Sequence, residues 1–208
     1  MRMLTRKPDR RGERTRRALM DAFSELVLSV GYDRLTVRDV IERAKVGRST
    51  FYEHFDDKQD VLRRSVAPVL APLAATVTNA AAPAALDAMI AHFHDHRRLL
   101  RAFFDGPARA LLVGFLAELI EDRLDRMRDA APLIPLPMIA AQLAEAQLGL
   151  IRAWIDDPQQ CDIGSLTAAL TASTRAAAAA LLRPALQRTS EPNIPRAAST
   201  AAATAGRR

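Results

Sequence analysis

Leu19, Ala22, Phe23, Leu26, Val27 and Val30 recur at helical spacing, so they fall on one face of a helix, and Gly31 closes the run in the manner of a helix C-terminus. The spacing predicts a helix from about Gly12 to Val30. Thr36 then opens a second, with Asp39 three residues on in the pattern of a capping box and Val37, Val40, Ile41 and Ala44 as its buried face. Lys45, Val46 and Gly47 leave room only for a tight turn before a third short helix, about Arg48 to His54. Phe51 and Phe55 lie one turn apart and point inward with Val46 beside them. Ser49, Thr50 and Glu53 face away from those rings, and Arg48 and Tyr52 lie on the flank. Asp57 is placed to cap a fourth helix, with Asp60 in its first turn. Two short helices joined by a tight turn and braced by a longer one make a helix-turn-helix. Spacing alone fits a generic three-helix subdomain equally well.

The rest of the chain narrows the class. Its 208 residues contain only eight glycines, and aromatic residues make up 5%. Val, Ile and Thr do not alternate in runs while Ala and Leu are everywhere, which argues against a β-sandwich or a doubly wound sheet. The expected fold is all-α. From Pro68 onward the composition shifts toward Ala and Leu, and prolines and glycines punctuate helices expected at about 84–95, 97–104, 107–129, 136–156 and 163–186. The chain divides into a basic flexible leader over 1–11, a helix-turn-helix unit over 12–66, a helical domain over 67–188, and a low-complexity, disordered tail over 189–208. The single cysteine, Cys161, excludes an internal disulfide framework and any multi-cysteine metal site. No uninterrupted apolar stretch of about 18 residues exists to span a membrane. The N-terminus lacks the apolar core of a secretory signal, so a cytoplasmic protein with no membrane partner is expected.

Charge is unevenly placed. Residues 1–17 carry eight Arg or Lys against two acids, residues 1–66 carry 16 against 11, and residues 67–208 carry 14 against 13. Nearly all of the net +6 therefore sits in the first third. A basic arm feeding a small helical module suits a polyanion, although a solvated leader would have the same composition.

The stretch Thr36 to Leu62, TVRDVIERAKVGRSTFYEHFDDKQDVL, resembles the DNA-binding signature of the TetR family of bacterial transcriptional regulators, above all in VGRSTFYEHF with Lys58 three residues on. The resemblance implies an N-terminal three-helix DNA-binding domain followed by a helical regulatory and dimerisation domain. It also implies a homodimeric repressor, released from a pseudo-palindromic double-stranded DNA operator by a small-molecule effector. By matching position, Thr36 would bind a phosphate through its hydroxyl and backbone N–H, and Arg48 and Ser49 would reach base edges. Thr50, Tyr52 and His54 would contact phosphates or bases, Lys58 would clamp phosphate, and Arg14, Arg16 and Arg17 would add backbone contacts. The turn departs from the family pattern in having Lys45 where Gly is frequent and Gly47 where a capping Ser or Thr is frequent; Lys45 is expected to pair with phosphate. Leu166, Leu170, Ser173, Ala177 and Leu181 recur at helical spacing in the last helix; the resemblance implies that this stripe faces a second subunit, and packing within its own subunit is the competing account. Its effector pocket implies a role for Met89, Phe93, His96, Phe103, Phe104, Phe115, Met138, Gln147 and Trp154, with Gln142, Glu145 and Arg152 as further polar candidates. Plain core packing is the competing account for each apolar one.

His92 and His96 share a helical face, one turn apart, and with a distant carboxylate such as Glu145 would make a partial zinc site; no third ligand stands at diagnostic spacing, so no metal and no cofactor is expected. No Ser–His–Asp order, phosphate-cradling glycine loop or paired-carboxylate motif marks an enzyme. The alternatives that stay open are a regulator acting as an activator and a non-specific architectural nucleic-acid-binding protein, which would bind any duplex with a steep salt dependence.

Overall fold

The computed structural model describes residues 10–78, 82–127 and 130–184. The basic leader before Arg10 and the tail expected from 189 onward lie outside the described residues. Nine helices are present among them: α1 (Arg10–Val30), α2 (Val37–Ala44), α3 (Arg48–His54), α4 (Lys58–Ala75), α5 (Pro83–Asp95), α6 (Arg97–Phe104), α7 (Ala108–Asp125), α8 (Leu136–Asp156) and α9 (Ile163–Leu181). Two three-residue strands, β1 (Ala130–Pro132) and β2 (Leu182–Pro184), pair antiparallel with Ala131 opposite Arg183.

The local signals in the first third act as chemistry dictates. Gly31 takes the left-handed φ of 83° that a side chain resists, and its N–H bonds the Val27 carbonyl, which ends α1. Thr36 and Asp39 form a reciprocal capping box at the start of α2. The Asp57 carboxylate accepts the Asp60 N–H at the start of α4. The turn between α2 and α3 is made by Lys45 in the left-handed region (φ 54°, ψ 44°), followed by Gly47 as an N-cap with no side-chain hydrogen bond.

Two expected helices stop short. The helix expected over 107–129 ends at Asp125, and the one expected over 163–186 ends at Leu181. Pro132 and Pro184 have no N–H to donate and push the preceding residue toward extended backbone. The chain there pairs as β1 and β2, and the Leu133 N–H donates to the Leu181 carbonyl at 2.9 Å. By contrast Pro68 and Pro72 sit inside α4 without ending it. Their missing N–H groups leave the carbonyls of Arg64 and Pro68 without the usual helical donor, so two successive turns of α4 are held less firmly than the rest.

One continuous apolar cluster runs through the molecule, from Leu19 and Phe23 in α1 through Phe51 and Phe55 to Leu116, Ile139 and Leu170. α1 packs on α2, α4 and α6, so it joins the N-terminal three helices to those that follow, while α7, α8 and α9 pack on one another in turn. Gln147 of α8 is buried and donates to the Leu73 carbonyl (3.3 Å), Thr76 Oγ1 (2.9 Å) and Thr174 Oγ1 (3.0 Å), tying α4 to α8 and α9.

Candidate nucleic-acid interface

α3 is anchored by one face and open on the other. Phe51 and Phe55 are fully buried with ring centroids 5.9 Å apart, which fixes the roll of the helix. Arg48, Ser49, Tyr52 and Glu53 are exposed. Tyr52 packs edge-on against Phe51 (5.3 Å between centroids) and keeps 48% of its surface in solvent, with the Arg48 guanidinium 5.8 Å from its ring centroid. Arg48 and Tyr52 form one wall of a shallow groove whose other wall is Val37, Arg38, Ile41 and Glu42 of α2. On the opposite flank a polar concavity gathers Lys45, Gly47, Thr50, Glu53 and His54 with Arg11 and Thr15 of α1. α2 is held to α1 by the Arg43–Glu25 ion pair.

Of the residues the sequence nominated for DNA, the structure groups Arg48 with Tyr52 and Lys45 with Thr50 and His54, and leaves Ser49 exposed between them. Two nominated residues are otherwise occupied. The Thr36 hydroxyl donates to Asp39 Oδ2 at 2.7 Å and its backbone N–H donates to the same oxygen at 2.8 Å, so both groups meant for phosphate are spent on the capping box. Those hydrogen bonds hold the Asp39 carboxyl below its ordinary range, the Thr36 hydroxyl contributing most. Lys58 donates from Nζ to the carbonyls of Tyr32 (3.0 Å), Leu35 (3.0 Å) and Asp33 (3.4 Å), and is half-buried over the Tyr32 ring. An ammonium has three donors, and all three face the α1–α2 turn, so Lys58 clamps backbone rather than phosphate. Of the three α1 arginines expected to contact DNA, Arg16 is paired with Glu13 at 2.8 Å, while Arg14 and Arg17 are exposed. Arg11 and Thr15 are the residues sequence reading missed: they stand one turn apart on α1, a spacing that was visible but had no partner until the turn came up beside them.

A second feature lies at the junction of α1 with the helices that follow. A cavity of about 300 Å³ is lined by α1, α4, α5, α6, α7 and α8, including Phe93, His96, Phe103 and Phe104 from the expected pocket set and His92 beside them. The other expected pocket residues do not line it. Met89 and Phe115 are buried elsewhere in the core, with the Arg63 guanidinium 5.0 Å from the centroid of the Phe115 ring. Met138 is on the surface at 58% exposure. Gln147 spends its amide N–H groups on the network described above, and Trp154 donates its indole N–H to the Cys161 carbonyl at 3.0 Å. Of the polar candidates, Gln142 is exposed, Glu145 pairs with Arg109, and Arg152 pairs with Asp105 at 2.8 Å. Cys161 is a free thiol, half-buried in the loop before α9. His92 and His96 stack with ring centroids 4.2 Å apart, and among the described residues no group of three or more His, Cys, Asp or Glu comes together as a metal site.

The expected dimer stripe also needs correction. Leu166 and Leu170 are buried within their own subunit, because α9 turns that face onto α5 and α8. Ser173 is exposed, and Ala177 and Leu181 are half-buried. The face that α9 leaves in solvent carries Ala169, Ala172, Ser173, Ala176 and Ala180, and α8 leaves out Ala141, Ala146, Gly149, Leu150 and Ala153.

The α2–turn–α3 unit braced by α1 is a helix-turn-helix of the DNA-binding kind, with a fixed inner face and a polar outer one. Residues 19–64 match the family model for bacterial regulatory proteins of the tetR family. It is 32% identical over 76 residues (36% of this chain, 20% of the relative) to the HTH-type transcriptional regulator YxbF of Bacillus subtilis. It is 33% identical over 48 residues (23% and 26%) to the HTH-type dhaKLM operon transcriptional activator DhaS of Lactococcus lactis. These matches span only about a fifth to a quarter of the curated relatives' length. The fold itself is shared with a TetR transcriptional regulator from Streptococcus agalactiae, at a TM-score of 0.52 and 24% identity, over 80% of this chain and 96% of that one. Both curated relatives carry the name of a transcriptional regulator or activator. Among the described residues no helix is long and apolar enough to cross a membrane.

Proposed function

We propose that the chain is a homodimeric, sequence-specific transcriptional repressor that leaves its operator when a small molecule binds. The observation that carries this reading is the outer face of α3, where Arg48, Ser49 and Tyr52 are exposed on a helix whose roll is locked by Phe51 and Phe55. Placed in a major groove, Arg48 suits the paired acceptors of a guanine, and Ser49 reaches a neighbouring base edge. Lys45, Thr50 and His54, with Arg11 and Thr15 beside them, take the phosphates on one side; Tyr52 takes them on the other. Thr36 and Lys58 act from behind, by holding the start of α2 and the turn that precedes it.

Two copies joined through the small-residue faces of α8 and α9 would set two α3 helices about 34–36 Å apart, one turn of duplex, and read a pseudo-palindrome. The domain boundary near residue 66 falls inside α4, which runs on unbroken from Lys58 to Ala75. A molecule seated in the 300 Å³ cavity touches α1 and α4 together. If it binds better when α1 is displaced, it shifts the population away from the DNA-competent form, and the loosely bonded turns of α4 around Pro68 and Pro72 let that shift occur. Footprinting on the DNA upstream of the chain's own gene tests the reading: two protected half-sites about one helical turn apart support it, and protection that follows no sequence or symmetry refutes it.

A further inference from the structure

We propose that the cavity between α1, α4, α5 and α6 receives a lipophilic amine in its protonated form, with the ammonium held by Asp21 and the apolar body among Phe93, Leu100 and Phe103. The proposal rests on the reading of this cavity as the effector site and names the chemistry of what enters it.

Ser24 and Ser65 both line the cavity, and both hydroxyl protons are already committed: Ser24 Oγ donates to the Met20 carbonyl at 3.0 Å and Ser65 Oγ to the Val61 carbonyl at 2.8 Å. Each therefore offers lone pairs only. His96 Nδ1 lies 3.0 Å from the His92 carbonyl, an acceptor, so Nδ1 carries the proton and the neutral ring presents Nε2 as an acceptor too. Burial and the neighbouring His96 ring hold the His92 imidazole below its ordinary pKa, which disfavours a positive charge on it. Asp21 completes the rim; it is exposed and makes no hydrogen bond or ion pair among the described residues. No lysine or arginine lines the cavity. An apolar chamber whose polar edge is rich in acceptors, with one unpaired carboxylate and no lysine or arginine, complements a ligand that brings donors and a positive charge. A carboxylate ligand would meet lone pairs and a like charge.

Asp21 belongs to α1, whereas Phe93, Leu100 and Phe103 belong to α5 and α6. A bound amine would thus be gripped at its head by the DNA-reading unit and at its body by the helices behind it.

The test compares 4-phenylbutylamine, 4-phenylbutan-1-ol and 4-phenylbutyrate, three molecules with one apolar body, by titration calorimetry on the full-length protein and on Asp21→Asn. The expected result is an amine that binds about tenfold more tightly than the alcohol, an acid weaker than both, and loss of the amine's advantage in the variant. Because Asp21 is exposed and unpaired, the variant retains the fold, which its unchanged thermal transition would verify. An acid equal to the amine, an unchanged ranking in Asp21→Asn, or no binding by any of the three would overturn the proposal. DNA binding measured on the same preparations keeps the two readings apart: an amine that binds with the expected ranking but leaves the DNA complex intact would refute the effector role and leave the ligand class standing.

Discussion

Lys58 Nζ lies 3.0 Å from the Tyr32 carbonyl oxygen and 4.6 Å from the centroid of the same residue's ring. One side chain at the start of α4 thus closes the turn between α1 and α2 by a charged hydrogen bond and a cation–π contact together. Replacing it with methionine keeps the stem but strips donors from the carbonyls of Tyr32 and Leu35, and should cost about 2 kcal/mol in urea denaturation. The salt dependence of DNA binding separates this role from a phosphate clamp. The logarithmic slope should stay as in the wild type, whereas a lost phosphate contact would reduce it by about 0.9.

Lys45 is the one described residue other than glycine with positive φ. Its side chain crowds its own backbone in the left-handed region, a penalty of about 1–2 kcal/mol that glycine does not carry. Lys45→Gly should therefore stabilise the fold by about 1 kcal/mol, less what the freer unfolded chain takes back, while removing one charge from the concavity and weakening DNA binding. A variant that is both less stable and tighter on DNA would contradict this division.

Two capping carboxylates set an acid limit on stability. Asp39, bonded by the Thr36 hydroxyl and backbone, and Asp162, bonded by the backbone and then the side chain of Ser165, are both held below their ordinary pKa. Each binds its proton less readily folded than unfolded. Their contribution is therefore complete above the unfolded value, about 3.9, and is lost as pH falls below it. Asp162→Asn should flatten the decline of thermal midpoint below about pH 4, since the amide still caps but no longer titrates. An unchanged acid limb would show that other groups set it.

The two sides of α3 should fail differently on substitution. Arg48→Ala should cost about 1–3 kcal/mol on the operator and relax the choice of base at one position in each half-site. Thr50→Val should weaken all duplexes to a similar degree, as expected for a group that meets only the backbone. Competition binding against single-base operator variants distinguishes the two patterns.

The helix-turn-helix was legible because its determinants are local. Gly31, the Thr36–Asp39 box, Phe51 with Phe55, and Asp57 each act within a turn of where they stand. The ends of α7 and α9 were not, since periodicity ran on past them and the pairing of β1 with β2 joins segments about 50 residues apart in the chain. Lys58 was misassigned for a different reason: its partners are more than 20 residues away in the chain, and nothing in its own neighbourhood separates a lysine that holds a turn from one that holds a phosphate. Leu166 and Leu170 show the same gap on α9. A helical stripe tells which residues share a face, and only the packing of α5 and α8 tells which way that face looks.

The account stands or falls on whether α3 reads sequence. Fluorescence anisotropy at about 150 mM salt, with DNA from upstream of the chain's own gene against a scrambled duplex of equal length, measures this for the wild type and for Tyr52→Ala. A preference of about a thousandfold for the native fragment, with weaker binding in the variant, is the predicted result. Equal binding of both duplexes with a steep fall as salt is raised, unchanged in the variant, would contradict it.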